Sequence, residues 1–225
     1  MRLLAALVAA LPIGHSVDGR AIVPVVLGTP GAAHRVLVVG CIHGNEPAGI
    51  AIVKQLIRAG APSGTEIVAV TSVNPDGCRL GTRQNARGVD LNRNFPSNWA
   101  RIGRKGSIQW SGPEPLSEPE SRYAVKLIEQ LRPDVTIWFH QHEGFVRAWG
   151  ESIPTARRFA RLAAYPYESV RWPFGTASNW QNHRFPGTAS FVVELPPGPV
   201  PRAWDRDPGA RRRPPEPPVA EWPPR

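Results

Sequence analysis

Short apolar runs alternate with amphipathic segments along most of this 225-residue chain. Residues 21–27 and 35–40 are rich in β-branched side chains and flank the turn-forming segment 28–33, so both are predicted to be strands. Residues 36–39 are apolar without interruption, which is typical of a strand covered on both faces.

Helical segments are predicted between such strands. Pro47 is well placed at the first position of a helix that ends near Gly60. Ser117 and Glu120 have the spacing of a capping box, apolar residues follow at helical intervals, and Pro133 ends that helix.

The remaining apolar runs complete an alternating pattern. Residues 66–73, 135–139 and 191–195 are predicted to be strands, and residues 155–164 a short helix. Strands that alternate with helices favour an α/β domain, with a mixed, mostly parallel central sheet and helices on both faces.

Composition divides the chain into three parts. Residues 1–12 resemble a clipped signal segment, although an apolar segment packed on the domain explains them equally well. Residues 13–196 form the expected domain, and the Pro- and Arg-rich residues 197–225 are predicted to be a disordered tail. The first segment favours export, to the periplasm or the medium, over a cytoplasmic location. No stretch is long and apolar enough for a stable membrane span.

The chain is basic, with 27 Lys and Arg against 18 Asp and Glu and a formal charge of +9. It has no Lys-rich run and no basic stripe interleaved with aromatic residues, so we expect no nucleic-acid partner. Solvated surface charge or an anionic substrate explains the balance better.

Candidate chemical groups stand at the ends of three predicted strands. His43 and Glu46 follow the strand at 35–40, His140 follows a second strand, and Glu194 lies within the last. Open α/β sheets place their sites at the carboxyl ends of strands, and both His and Glu are zinc ligands. The three strand ends therefore predict a shared metal or acid–base site.

A long segment without periodic pattern separates two of these strands. Residues 74–77, Asn-Pro-Asp-Gly, are predicted to form a turn, and the irregular residues 78–115 are rich in Gly, Asn and Arg. Loops of this length in compact domains are usually functional or disordered. Asn92 and Arg93 are adjacent within it, and an arginine fork suits a carboxylate ligand.

Four motifs in order, HGNE, DLNRNFP, WFHQHE and SFVVELP, resemble the zinc metallocarboxypeptidase superfamily over residues 13–196. HGNE alone is unspecific, but the ordered set is specific. The longer phrases HGNEPAG and TRQNARGVDLNRNFP look closest to the small bacterial branch that contains murein peptide amidases.

The resemblance implies a metal centre and a base. His43, Glu46 and His140 would hold one Zn²⁺ ion per chain, with water in the fourth position. Glu194 matches the general base, and Asp90 matches the carboxylate that orients the first zinc histidine.

The resemblance also implies substrate contacts. Asn92 and Arg93 match the pair that grips the terminal carboxylate of the substrate. Arg83 matches the arginine that stabilises the carbonyl oxygen, with Arg87 as the alternative. His142, two residues after a predicted ligand, is expected to contact substrate or support the site, with a fourth-ligand role as the alternative.

Three features are left open or depart from the family. Residues 169–180 lack the tyrosine that covers the substrate in larger members, and Pro-rich sequence stands where the family has a C-terminal helix. Cys41 and Cys78 either pair, if the chain is exported, or remain free thiols.

The implied activity is zinc-dependent hydrolysis of a peptide or amide bond next to a C-terminal, carboxylate-bearing residue. The branch suggests murein peptides as substrate, such as the bond between γ-D-glutamate and diaminopimelate, and we expect a monomer. One alternative is an N-acyl amino acid deacylase of the aspartoacylase or succinylglutamate desuccinylase type. Another is a non-catalytic peptide-binding module.

Overall fold

The computed structural model of this protein describes residues 11–169 and 173–198. The strands in these residues are β1 (Gly14–His15), β2 (Ala21–Ile22), β3 (Val25–Gly28), β4 (His34–Val39), β5 (Thr65–Val70), β6 (Val135–Gln141), β7 (Val146–Arg147), β8 (Tyr167–Glu168) and β9 (Ala189–Leu195). The α-helices are α1 (Ala48–Ala59), α2 (Pro75–Leu80), α3 (Pro119–Leu131), α4 (Ile153–Ala163) and α5 (Ala177–Arg184). The expectations for residues 1–10 and 199–225 lie outside the described residues. Within the described part, no helix is long and apolar enough to cross a membrane.

Seven strands form one sheet in the order β3-β5-β4-β6-β9-β7-β8, and β1 pairs separately with β2. The central strands β5, β4, β6 and β9 run parallel, while β3 and β7 are antiparallel to their neighbours β5 and β9. The predicted α/β class with a mixed, mostly parallel sheet is confirmed.

Helices cover both faces of this sheet because its central strands are apolar on both sides. Leu37 and Val39 of β4 belong to a core that includes residues of α3 and α5. Val38, between them, belongs to a second core that includes residues of α1 and α4. This split follows from the alternation of side chains along a strand.

Two local predictions were wrong. The predicted strand at 21–27 is divided into β2 and β3 at Pro24, which has no N–H to donate to a ladder. The predicted turn at 74–77 is the first turn of α2 instead. Asn74 caps this helix through an Oδ1 that accepts from Gly77 N at 2.9 Å, and Pro75 occupies its first position.

The predicted capping box of α3 does not form. Glu118 is the N-cap residue, and its N–H donates to Asn94 Oδ1 at 3.2 Å. Ser117 Oγ donates to the Glu118 carboxylate at 2.9 Å, because Pro119 shifts the helix start by one residue.

The pattern of apolar residues missed α5 and the two-residue strands β1, β7 and β8. Ser178, Asn179 and Gln181 of α5 are buried, so polar residues lie on the inner face of this helix and no apolar helical period appears. The two-residue strands are too short to show any alternation.

Candidate metal centre and substrate pocket

The ends of neighbouring strands bring the predicted metal ligands together. His43 and Glu46 lie in the turn between β4 and α1. Gly44 makes the tightest approach in this turn, since a Cβ there would lie 1.9 Å from the backbone carbon of Gly77. The turn that carries His43 and Glu46 therefore packs closely against α2.

His140 reaches the same place from β6. Its ring Nδ1 lies 2.8 Å from Glu46 Oε2 and 3.1 Å from His43 Nδ1, while His43 Nδ1 lies 2.9 Å from Glu46 Oε1. One ligand atom from each residue lies within 4.8 Å of the others, and all three side chains are buried.

This donor set fits a zinc ion. Two imidazole nitrogens and a carboxylate oxygen are the ligands of a catalytic zinc site with three protein groups. The Nδ1 atoms of His43 and His140 face each other and the two Glu46 oxygens, so the possible ligand atoms converge on one place. The cluster agrees with the single zinc ion that the family resemblance implies.

Asp90 supports His43 from behind. Its Oδ1 lies 3.0 Å from His43 Nε2 and accepts from Asn92 N at 3.0 Å, while its Oδ2 accepts from Arg83 Nε at 2.9 Å. A proton on Nε2 leaves a lone pair on Nδ1 for the metal, as the predicted role of Asp90 requires.

The charges around this cluster keep its carboxylates ionised. Burial acts to raise the pKa of Asp90, but the adjacent His43 ring and the Arg83 guanidinium outweigh it and hold that pKa below its ordinary value. Burial likewise acts against ionisation of Glu46, and His140 and His43 hold the pKa of Glu46 far below its ordinary value. Both groups are therefore anionic at neutral pH.

The two candidate oxyanion arginines have different positions. Arg83 lines the main pocket, where its Nη1 lies 3.2 Å from Glu46 Oε1. Arg87 is paired with Glu118 at 3.6 Å and lines a separate pocket of about 620 Å³. Arg87 does not line the main pocket, so its role as the alternative donor finds no support in this arrangement.

The Asn–Arg pair lies in a short 3₁₀ turn, Leu91–Arg93, that Asp90 caps. Asn92 is held on two sides, with Nδ2 3.3 Å from His140 Nε2 and Oδ1 accepting from Ala177 N at 3.0 Å. Arg93 Nη1 donates to the Asn92 carbonyl at 2.8 Å. Burial lowers the pKa of Arg93, which leaves a desolvated cation on the pocket wall.

Glu194 is the buried acid of β9, and it lies opposite His140 in the parallel β6–β9 pairing. Its Oε1 is 2.8 Å from Nη2 of Arg147, a residue that the sequence did not single out. Arg147 lies on the two-residue strand β7, opposite Val192 of β9. No local pattern predicts this contact, because it depends on an antiparallel pairing between distant parts of the chain.

These groups share one pocket of about 1010 Å³. Its wall includes most of the predicted site residues: His43, Glu46, Arg83, Asn92, Arg93, His140, His142 and Glu194. Asp90 is absent from this lining because it lies behind His43.

His142 is an exposed residue of the pocket wall. Strand β6 ends at Gln141, so the strand alternation expected to carry His142 beside His140 does not continue. Among the described residues, His142 is not part of the cluster that could hold a metal ion. The fourth-ligand alternative is not supported, and a substrate contact remains a prediction.

The two cysteines meet behind the metal ligands. Cys41 Sγ and Cys78 Sγ are free thiols 2.8 Å apart, and Cys41 Sγ donates to the His43 carbonyl at 3.1 Å. Neither belongs to the metal-ligand cluster.

Comparison with known proteins gives one family. The zinc carboxypeptidase family model matches residues 4–171 of this chain. The chain is 36% identical over 115 residues to murein peptide amidase A of Escherichia coli K12, an alignment of 46% of this chain and 48% of that protein. It is 35% identical over 182 residues to murein peptide amidase A of Vibrio campbellii, covering 72% of this chain and 70% of the relative.

A solved structure is similar over most of the chain. The crystal structure of the murein-tripeptide amidase MpaA from Escherichia coli O157 superposes with a TM-score of 0.68 and 26% identity. The superposition covers 86% of this chain and 87% of that one. The sequence alignment spans about half the length of the E. coli K12 relative.

Proposed function

This chain belongs to the zinc carboxypeptidase family, and we propose that it hydrolyses the peptide or amide bond before a C-terminal, carboxylate-bearing residue of murein peptides. The observation that carries the proposal is the convergence of three kinds of group on one pocket. These are the metal-ligand cluster of His43, Glu46 and His140, the buried acid Glu194 and the desolvated cation Arg93.

The roles of these residues follow from their chemistry. Zinc held by the cluster would act as a Lewis acid and lower the pKa of its water to about 7. Glu194 takes the proton from the attacking water and delivers it to the leaving amine. Asn92 and Arg93 bind the terminal carboxylate, and the contacts of Asn92 with His140 and with Ala177 of α5 fix its position.

Arg83 is the candidate donor to the carbonyl oxygen. Its guanidinium is tied to Asp90 and Glu46, so it is oriented before substrate arrives. A donor fixed in this way needs no reorganisation when negative charge develops on the oxygen.

The murein substrate is supported by the relatives, because the similar proteins named above are murein peptide amidases. The formal charge of +9 is compatible with acidic muropeptides. We also propose that the chain acts as a monomer. We further propose that it is exported, which the resemblance of residues 1–12 to a signal segment favours. Light scattering of the purified chain and fractionation of expressing cells test these two points.

The test is digestion of purified muropeptides followed by mass spectrometry, with zinc-loaded wild type and Glu194→Gln. We expect wild type to release the terminal residue, a chelator to stop the reaction, and Glu194→Gln to lower the rate by about 10²–10⁴-fold. Glu66→Gln is the matched control, since Glu66 is a buried carboxylate of β5 whose Oε2 accepts from Gly31 N at 2.9 Å.

No cleavage by wild type, or equal cleavage by Glu194→Gln, overturns the proposal. N-acyl amino acids belong in the same experiment: faster cleavage of these than of peptides would favour the deacylase. Retained peptide binding with less than one zinc per chain would favour the non-catalytic module.

A further inference from the structure

One section of the pocket wall carries a cation that the proposed mechanism does not use. Arg147 of β7 and Val192 of β9 lie opposite each other in this section. Trp149 and Ser178 also line the pocket, and the Arg147 guanidinium carbon lies 5.8 Å from the centre of the Trp149 ring. We call these four residues the Arg147 wall.

Two polar atoms of the Arg147 wall are buried without a hydrogen-bond partner among the described residues. They are Nε of Arg147 and Oγ of Ser178. Buried donors are nearly always paired in native proteins, because an unpaired one loses its hydration and gains nothing in return. Arg83, on another part of the same pocket, has its Nε bonded to Asp90 at 2.9 Å.

The guanidinium of Arg147 is only partly neutralised. Nη2 is bonded to Glu194 Oε1 at 2.8 Å, while Nε, which shares the outer edge of the guanidinium with Nη2, has no partner among the described residues. A guanidinium carries five N–H donors, so its single contact with Glu194 leaves donors that can bind a ligand carboxylate.

The pocket also offers more than one cation to its substrate. After burial, the charges that lower the pKa of Arg93 include that of Arg147, so the two guanidinium groups lie near each other. A substrate residue with a single carboxylate would engage only one of them.

We propose that Arg147 is a specificity-determining residue that binds a second, side-chain carboxylate of the leaving residue, with Ser178 as an accessory donor. The inference rests on the proposed function, because it assigns the substrate class of that same site. It distinguishes a leaving residue with two carboxylates from a diamino acid with one.

The test compares two tripeptides that differ only in this group, L-alanyl-γ-D-glutamyl-diaminopimelate and L-alanyl-γ-D-glutamyl-lysine. We expect wild type to have the higher kcat/KM on the diaminopimelate peptide. Arg147→Gln should reduce the ratio of the two kcat/KM values by about 10- to 100-fold, the usual value of a hydrogen-bonded charge pair. Arg147→Lys keeps the charge beside Glu194 but loses the planar fork. Its kcat/KM on the lysine peptide should therefore approach that of wild type, while the ratio of the two kcat/KM values stays below the wild-type ratio.

Cleavage of the lysine peptide by each variant reports that the protein is folded. Arg157→Gln is the matched control, since Arg157 also stacks on an aromatic ring, at 5.0 Å from the centre of Tyr167, but does not line the pocket. It should leave the ratio unchanged. Equal losses on both peptides in Arg147→Gln would mean that Arg147 only holds Glu194, and would overturn this inference alone. Wild type that cleaves neither peptide would overturn the proposed function and this inference with it.

Discussion

Two buried aspartates of this chain are each paired with an arginine, but they belong to different parts of the molecule. Asp90 accepts from Arg83 Nε at 2.9 Å and lies 3.0 Å from His43 Nε2. Asp76 accepts from Ser16 Oγ at 2.9 Å and is paired with Arg20. Both carboxylates have no solvent exposure.

The two aspartates differ in the further contacts of the residues that bond to them. The His43 ring that meets Asp90 has its other nitrogen in the metal-ligand cluster. The partners of Asp76 belong to the segment around β1, whose Asp18 N–H also donates to Asp76 at 2.9 Å, so this carboxylate ties that segment to α2. Burial and an arginine partner therefore do not identify a functional carboxylate. The other residues bonded to the carboxylate do, according to whether they belong to the metal-ligand cluster.

The largest expected effect is the loss of zinc affinity when the metal ligand Glu46 is replaced. Glu46→Gln replaces an anionic oxygen donor, and we expect zinc affinity to fall by more than the about 10–100-fold that loss of an outer partner costs. Competition with a chromogenic chelator measures it. Asp76→Asn is the control and should bind zinc as wild type does; equal affinity of Glu46→Gln and wild type would contradict the assigned ligand set.

A smaller effect on the same measurement is expected for Asp90→Asn. The amide cannot balance the charge of the His43–metal pair and can present N–H groups to Nε2, so zinc affinity should fall by about 10–100-fold. If Asp90→Asn and Asp76→Asn bind zinc equally well, the contrast between the two aspartates is wrong.

Replacing Asp76 should change the free energy of unfolding and leave the zinc affinity unchanged. Asp76→Asn weakens the bonds from Asp18 N–H and Ser16 Oγ, so we expect the free energy of unfolding to fall by about 1–3 kcal/mol without loss of zinc affinity. Urea unfolding of the metal-free proteins measures the difference. Unchanged stability would show that the β1 segment does not depend on this carboxylate.

The smallest expected effect is the pH dependence of the stability that Asp76 contributes. Burial acts to raise the pKa of Asp76, but the Asp18 N–H and Arg20 outweigh it, so the folded pKa lies below the unfolded value of about 3.9. Its contribution is then complete above that unfolded value and is lost as the pH falls through the folded one. The stability gap between wild type and Asp76→Asn should be constant from about pH 5 to 7 and shrink below about pH 4. A gap that persists at lower pH would contradict the lowered pKa.

Much of the fold was readable from local pattern. Apolar runs located the core strands β4, β6 and β9 and the helices α1 and α3, because a buried strand or an amphipathic helix leaves its period in the sequence. Helix α5 left no such trace, since Ser178, Asn179 and Gln181 are polar residues that the tertiary structure buries.

The sequence by itself determined which residues stand at the ends of which strands, and its resemblance to the zinc metallocarboxypeptidases then picked out His43, Glu46, His140 and Glu194. Only the tertiary structure placed Arg83 in the main pocket and Arg87 outside it, and only it brought Arg147 to Glu194. The physical reason is range. A strand end is defined by its own few residues, whereas the partner of a buried charge is set by sheet order and register between segments far apart in the chain.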